Sequence, residues 1–261
     1  MSFSAPPSAP PPPPLQIAVP EQKPVRAAKA ILVLMVYGAS QILAGIAVLM
    51  VYGATRGLDS VQTMGDIDPV LFLVAGAAGF VVGGPAVFWV TRALEPGHNT
   101  ADELRPFGWV KARPAVIAAS AAVGAVLALV LGYGVDIVFP PKDDVQGPLI
   151  EAASAPGWQR IVFVILAIVL APVVEEFLFR GVLFTGMSRS WGKWPAAVIV
   201  TIMFGLLHLA DIAGYWPALG VITMVGAAML AARIRTGSLV PPIAMHAAYN
   251  AVQVIVLYLT V

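Results

Sequence analysis

The chain alternates long apolar runs with short polar breaks. Each run has about the 17–25 residues that an α-helix needs to cross a hydrocarbon core. Because lipid offers no hydrogen-bond partners, backbone groups must pair within each segment, and this favours helices. Seven runs fit the pattern: Ala30–Ala54, Pro69–Val90, Ala115–Phe139, Trp158–Val174, Trp194–Ala210, Trp216–Ala232 and Leu239–Val261. The pattern predicts an all-α polytopic membrane protein with about seven transmembrane helices.

The overall composition agrees with a membrane environment. Of 261 residues, 59% are hydrophobic and 11% are charged, against about 25% charged residues in a soluble domain. So few charged side chains cannot cover a whole protein surface that faces water. We therefore expect the lipid bilayer to be the main partner of this protein. A net charge of +1 indicates no nucleic-acid partner, and the absence of cysteine excludes disulfides and thiolate nucleophiles.

The chain divides into three regions by composition. Residues 1–29 are Pro-rich and predict a disordered cytoplasmic tail. The apolar run Ala30–Ala54 is too long for the h-region of a cleaved signal peptide. Residues 30–139 are predicted to form the N-terminal transmembrane helices, and residues 140–261 a second, functional membrane core.

The basic residues predict the orientation. With seven spans, eleven of the fifteen Lys and Arg residues fall on the side of the N-terminal tail, and only Arg56, Lys142 and Arg160 fall on the other. Basic loops face the cytoplasm. We therefore expect an integral, multi-pass protein of the plasma (inner) membrane with a cytoplasmic N-terminus.

A few ionisable or amide side chains interrupt the apolar runs of the second core. Such groups are costly in a membrane and suggest function by default. Counting along the helices from the loops near Ser190 and Ser238 puts Glu175, His208, His246 and Asn250 at similar depth. The fourth run is expected to continue as a helix to about Met187, so the set comprises Glu175, Glu176, Arg180, His208, His246 and Asn250.

Their spacing separates two roles. Glu176 and Arg180 are four residues apart, so they share a helix face and predict a buried, structural ion pair. Glu175 lies about 100° around the helix and is free to face another neighbour. His246 and Asn250 are also four apart and can face one small ligand. The spacing thus makes Glu175 the candidate for chemistry.

These residues also form a recognisable set of motifs. Glu175 to Arg180 reads EExxxR, Phe204 to His208 reads FxxxH, and His246 to Asn250 reads HxxxN. In this order on apolar helices they resemble the CAAX prenyl protease and bacteriocin-processing (CPBP) family of intramembrane endopeptidases, over about residues 158–261. The resemblance implies that residues 140–261 are a CPBP-like catalytic core whose site opens to the cytosolic side.

The resemblance also implies roles. Glu175 with His208 would activate a water, His246 and Asn250 would bind the oxyanion or help hold the water, and Glu176 and Arg180 would support the architecture. Peptide hydrolysis needs such a base and such donors. The expected substrate is a membrane-associated or lipid-modified protein or peptide.

Two questions stay open at this point. Glu175, His208 and His246 with a water would also suit a divalent metal such as zinc, so the enzyme is either a glutamate-type or a metal-type hydrolase. Two other function classes are a proton- or ion-coupled transporter and a catalytically silent scaffold or immunity protein. The sequence contains no visible internal repeat of the kind many transporters have.

Overall fold

A computed structural model describes residues 26–56, 68–94, 105–140, 157–209 and 214–260, together with Ser154 and Ile212. The described residues form seven long helices with no strand among them. Their bounds are α1 Ala27–Arg56, α2 Pro69–Leu94, α3 Pro114–Val138, α4 Trp158–Trp191, α5 Lys193–Leu207, α6 Trp216–Thr236 and α7 Val240–Thr260.

The predicted fold class is confirmed, and the protein is an integral multi-pass membrane protein. Six of these helices are long and apolar enough to cross a membrane, and α4 runs through the charged stretch as expected. The fifth predicted run is shorter than expected. Its helix, α5, has 15 residues and ends at Leu207, about 22 Å of length. The Pro-rich tail lies almost wholly outside the described residues, and α1 begins at Ala27.

Hydrogen bonds gather the basic ends of the helices on one face. The backbone N–H of Ala27 donates to the Ser190 hydroxyl at 2.9 Å, and Lys29 donates to the carbonyl of Leu94 at 2.7 Å. The N–H of Leu239 donates to the Gly108 carbonyl at 2.8 Å. We call this the basic face, and the opposite one, where α3 and α7 end, the charge-poor face.

Helices α1 and α2 pack closely, as the small residues of α2 predict. A Cβ on Gly79 or Gly83 would overlap the side chain of Gln41 on α1. The Gln41 amide donates to the Gly79 carbonyl at 2.8 Å. Glycine at these positions therefore lets the two backbones approach each other and supplies an acceptor for a membrane-buried amide.

Helix α4 contains two π-helical segments, Leu166–Leu170 and Phe177–Leu183, on either side of an α-helical stretch that carries both glutamates. Pro172 lies just after the first segment. Proline has no N–H and clashes with the preceding turn of an α-helix, and a wider π turn relieves that crowding. The local sequence thus deforms α4 next to Glu175 and Glu176.

The core is dense near the basic face. Leu178, Leu183 and Leu239 are fully buried, and Met187 is 1% exposed. Phe107, in the short turn before α3, closes this region by packing its ring edge-on against Phe177 at 6.1 Å between centroids. We call this packed region the basic-side half. The half nearer the charge-poor face contains the cavity described next.

Candidate active site

Glu176 and Arg180 form the buried pair that their spacing predicts. The guanidinium donates to Glu176 Oε1 at 2.9 Å, and the two side chains are 0% and 1% exposed. Arg180 also donates to the Gly226 carbonyl at 2.8 Å and lies 4.2 Å from the centroid of the Phe204 ring. A buried charge needs such partners because its desolvation is costly.

Glu176 has a second contact that the helix spacing does not predict. Its Oε1 also lies 3.0 Å from Nδ1 of His246, on α7. His246 is 5% exposed, so this contact is buried. Glu176 therefore joins the structural pair to a histidine of the expected site, and its position fixes the orientation of that imidazole.

Glu175 faces away from Arg180, toward both histidines. Its Oε2 lies 3.9 Å from Nε2 of His208 and 3.9 Å from Nε2 of His246. The same oxygen is buried without a hydrogen-bond partner. The expected convergence of these three side chains is therefore observed, and the space among them suits a small polar species.

The contact made by Nδ1 of each imidazole indicates which ring nitrogen carries a hydrogen. Nδ1 of His208 lies 2.8 Å from the carbonyl oxygen of Phe204, which can only accept. Nδ1 of His246 faces Glu176 Oε1, which already accepts from Arg180. Both Nδ1 atoms therefore carry hydrogen. When both rings are neutral, Glu175 Oε2 and the two Nε2 atoms are three converging acceptors, to which a water molecule can donate.

Asn250 occupies the same region by a different contact. Its amide donates to the Ala167 carbonyl at 2.7 Å. In this π-helical segment each N–H bonds to the carbonyl five residues earlier, as the N–H of Ala171 does to the carbonyl of Leu166. The next residue, Pro172, has no N–H, so the carbonyl of Ala167 receives no backbone hydrogen bond. One N–H of the Asn250 amide donates to this carbonyl, and the second N–H of the amide makes no hydrogen bond within the described residues.

A cavity of about 480 Å³ connects these groups. Glu175, His208, His246 and Asn250 all line it. Apolar side chains of α6, such as Val221 and Val225, form another wall. This size and mixture of an apolar wall with a few converging polar groups are typical of a ligand site.

Sequence reasoning missed three residues of this region. Phe204 is 2% exposed, supplies the carbonyl that holds His208, and stacks on its ring at 4.7 Å between centroids. Tyr215 and Asp136 line the far end of the cavity, where the tyrosine hydroxyl donates to the carboxylate at 3.0 Å. The FxxxH spacing could have indicated Phe204, whereas no local signal links Tyr215 to Asp136.

The Tyr215 hydroxyl remains a donor under ordinary conditions. Loss of hydration, together with the bonded carboxylate of Asp136, raises the pKa of Tyr215 to about 12. Asp136 is exposed near the end of α3. Its hydrogen bond to Tyr215 ties that helix end to the segment before α6.

The same three side chains are the candidate metal ligands. Zinc binds nitrogen and oxygen at about 2.0–2.2 Å in a tetrahedron, so its ligand atoms lie closer together than the 3.9 Å between Glu175 Oε2 and either imidazole. Within the described ranges, no group of three or more His, Asp or Glu is arranged to hold a metal ion. Metal binding by Glu175, His208 and His246 stays a prediction.

Residues 156–252 match the family model described as Rce1-like, type II CAAX prenyl endopeptidase. The match covers α4 to most of α7 and includes all the site residues predicted from the sequence: Glu175, Glu176, Arg180, His208, His246 and Asn250. No curated protein and no solved structure matches the chain significantly. The predicted resemblance to the CAAX protease family is confirmed.

Proposed function

We propose, from the match of residues 156–252 to the Rce1-like family model of type II CAAX prenyl endopeptidases, that this chain is an intramembrane endopeptidase. Its substrate is a membrane-associated or lipid-modified protein or peptide, and the bilayer is its solvent. The observation that carries the proposal is the unpartnered Glu175 Oε2, 3.9 Å from both imidazole Nε2 atoms inside the cavity.

A single water explains this arrangement. A water oxygen about 2.8 Å from two acceptors that are 3.9 Å apart sees them at about a right angle, close to the angle between its own O–H bonds. The water can therefore donate one hydrogen to Glu175 and the other to an imidazole. Its lone pairs then point away from these two acceptors and are free to attack.

In the proposed reaction the water oxygen bonds to the scissile carbonyl carbon while Glu175, held with His208, accepts the water's proton. The carbonyl oxygen becomes an oxyanion, for which Asn250 has a free N–H. The C–N bond then breaks, and the proton on Glu175 passes to the leaving nitrogen.

The role of His246 follows from its tautomer. A neutral His246 cannot donate from Nε2 while Nδ1–H bonds to Glu176. We therefore assign it first to holding the water, and to oxyanion binding only when it is protonated. Glu176 acts through His246 as a positioning residue, in addition to its pairing with Arg180.

Cleavage of a reconstituted library of membrane-protein fragments tests the proposal. Glu175→Gln keeps the side-chain volume but removes the base, and should lower the rate about 10²–10⁴-fold. His208→Ala should lose a similar factor, and the double variant little more, because residues that act as a unit are not additive. Folding and substrate binding should persist in both variants.

Three results would contradict the proposal. Robust cleavage by Glu175→Gln would rule out Glu175 as the base. If the native chain cleaves nothing and shows Glu175-dependent ion flux in liposomes, the same residues form a proton relay. If it shows neither, the chain is a silent scaffold.

A further inference from the structure

Pro172 is buried within α4, three residues before Glu175 and directly after the first π-helical segment and Ala171. A proline inside a helix removes one backbone donor and crowds the carbonyl four residues earlier. In lipid, a carbonyl that loses its backbone donor must find another partner. The partner of that carbonyl therefore shows what Pro172 contributes.

The carbonyl that Pro172 leaves without a backbone donor belongs to Ala167. The N–H of Ala171 bonds to the carbonyl of Leu166, and the same pattern would pair Ala167 with the N–H that proline lacks. The Asn250 side chain donates to the Ala167 carbonyl instead, at 2.7 Å. Helix α7, which carries Asn250, packs against both the π-helical segment and the stretch with Pro172. The bond therefore joins two packed helices next to the candidate site.

This carbonyl also fixes the orientation of the Asn250 amide. A carbonyl oxygen can only accept, so the amide must present its nitrogen and not its oxygen to Ala167. The nitrogen carries a second hydrogen, which makes no hydrogen bond within the described residues. Asn250 lines the cavity together with Glu175 and His246. The bond to Ala167 thus keeps a donor available at this point of the cavity wall.

We infer that Pro172 is a positioning residue: it keeps the Ala167 carbonyl free of backbone hydrogen bonds, and this carbonyl holds the Asn250 amide with an N–H available to the cavity. The inference rests on the proposed function for the reaction in which that N–H binds the oxyanion. Any other residue at position 172 would restore an N–H and remove the crowding by the ring, which allows α4 to return to the α-helical register. The Ala167 carbonyl would then accept from Ala171 within its own helix, and its bond to Asn250 would weaken.

Kinetics of Pro172→Ala test this role in the reaction. Because a carbonyl has two lone pairs, the substitution should weaken and redirect the bond from Asn250 without abolishing it. The kcat should fall about 10–10²-fold, less than in Asn250→Ala, while KM changes little. Adding Pro172→Ala to Asn250→Ala should cause no further loss, because both act through one amide. Val173→Ala, the matched control in the same turn, alters no backbone donor and should keep the native kcat.

NMR measures the position of the amide without any need for catalysis. The chain contains two asparagines, Asn99 and Asn250, so ¹⁵N-asparagine labelling of an Asn99→Gln variant leaves one labelled side-chain amide. The bonded proton of that amide should resonate downfield of its position in free asparagine. Pro172→Ala should move it toward the free value, and so should Pro172→Val, which stays closer to the native side-chain volume and also supplies an N–H. Val173→Ala should leave it in place.

An unchanged amide signal in a folded Pro172 variant would overturn the inference, as would a native kcat or a double variant that multiplies the two single losses. If Pro172→Ala does not fold, Pro172→Val is measured in the same assays. Failure of both variants to fold would mean that Pro172 supports the fold itself, which also overturns the inference. A shifted amide signal with no cleavage by the native chain would support the positioning of Asn250 by Pro172 and reject only the proposed endopeptidase.

Discussion

The basic-side half and the cavity half of this protein both contain a glutamate from the same helical turn, yet the two carboxylates have opposite surroundings. Glu176 is fully buried, paired with Arg180 and bonded to His246. Glu175 has an oxygen without a hydrogen-bond partner, next to two imidazoles in the wall of a cavity. Adjacent residues on a helix differ by about 100° in direction, and that rotation separates a carboxylate that is paired with Arg180 through Oε1 from one that faces the cavity.

The difference shows how a membrane protein combines stability with reactivity. The basic-side half is close-packed and contains the buried Glu176–Arg180 ion pair, so its contacts contribute to folding. The cavity half gives up packing to leave room for water and substrate. Substitutions in the first half should therefore change stability, and substitutions in the second should change turnover.

The strongest test of this division is the same substitution at both glutamates. Glu176→Gln leaves Arg180 buried without a counter-charge, which costs about 3–5 kcal/mol when a buried pair loses one member. Glu175→Gln is the matched control and should unfold like the native protein. Thermal unfolding in detergent measures both. A Glu176→Gln variant as stable as the native chain, with turnover alone lost, would show that the two roles are not divided in this way.

Asn250→Ala should mainly affect turnover. Loss of one oxyanion donor lowers kcat about 10²–10³-fold, with a smaller effect on KM. The free Ala167 carbonyl should add a modest loss of stability, about 1–3 kcal/mol. Gln253→Ala, which removes another amide from the cavity wall one turn away, is the control and should retain most activity. Equal losses in the two variants would argue against a specific role for Asn250.

Two glycines of α6 test the packing boundary. A Cβ on Gly226 would lie 2.8 Å from the Phe204 ring and 3.2 Å from Arg180 Nη2, whereas one on Gly220 meets nothing within 4 Å. Gly226→Ala should cost about 1–3 kcal/mol through overpacking, and Gly220→Ala should be neutral or slightly stabilising. Unfolding measurements on the pair check this. Equal stability would mean that Phe204 moves freely, which its 2% exposure argues against.

The smallest effect is expected from a strong chelator. A cradle of Glu175, His208 and His246 around water needs no metal, so activity should survive chelation, and the purified protein should contain no stoichiometric zinc. Metal analysis and a cleavage assay with and without chelator measure this. Activity that is lost with the chelator and restored by zinc would favour a metal site on these three residues.

Much of this protein could be predicted from the sequence because the bilayer imposes simple rules. Length and apolarity predict the helices, since every backbone group must bond within its own segment. The i, i+4 spacing of Glu176 and Arg180 predicts their ion pair, since it places both on one helix face. The rarity of polar groups in lipid singles out Glu175, His208, His246 and Asn250. Their catalytic roles stay predictions.

Only the tertiary structure decided which residues of different helices are in contact and where α5 ends. The bond from His246 to Glu176 joins residues 70 positions apart, and helical periodicity carries no information about contacts between helices. The early end of α5 at Leu207, inside an apolar run, has no composition signal either. The lipid environment requires each apolar segment to be a helix. Packing between the helices then determines the rotation, the depth and the end of each one, and both features arise from this packing.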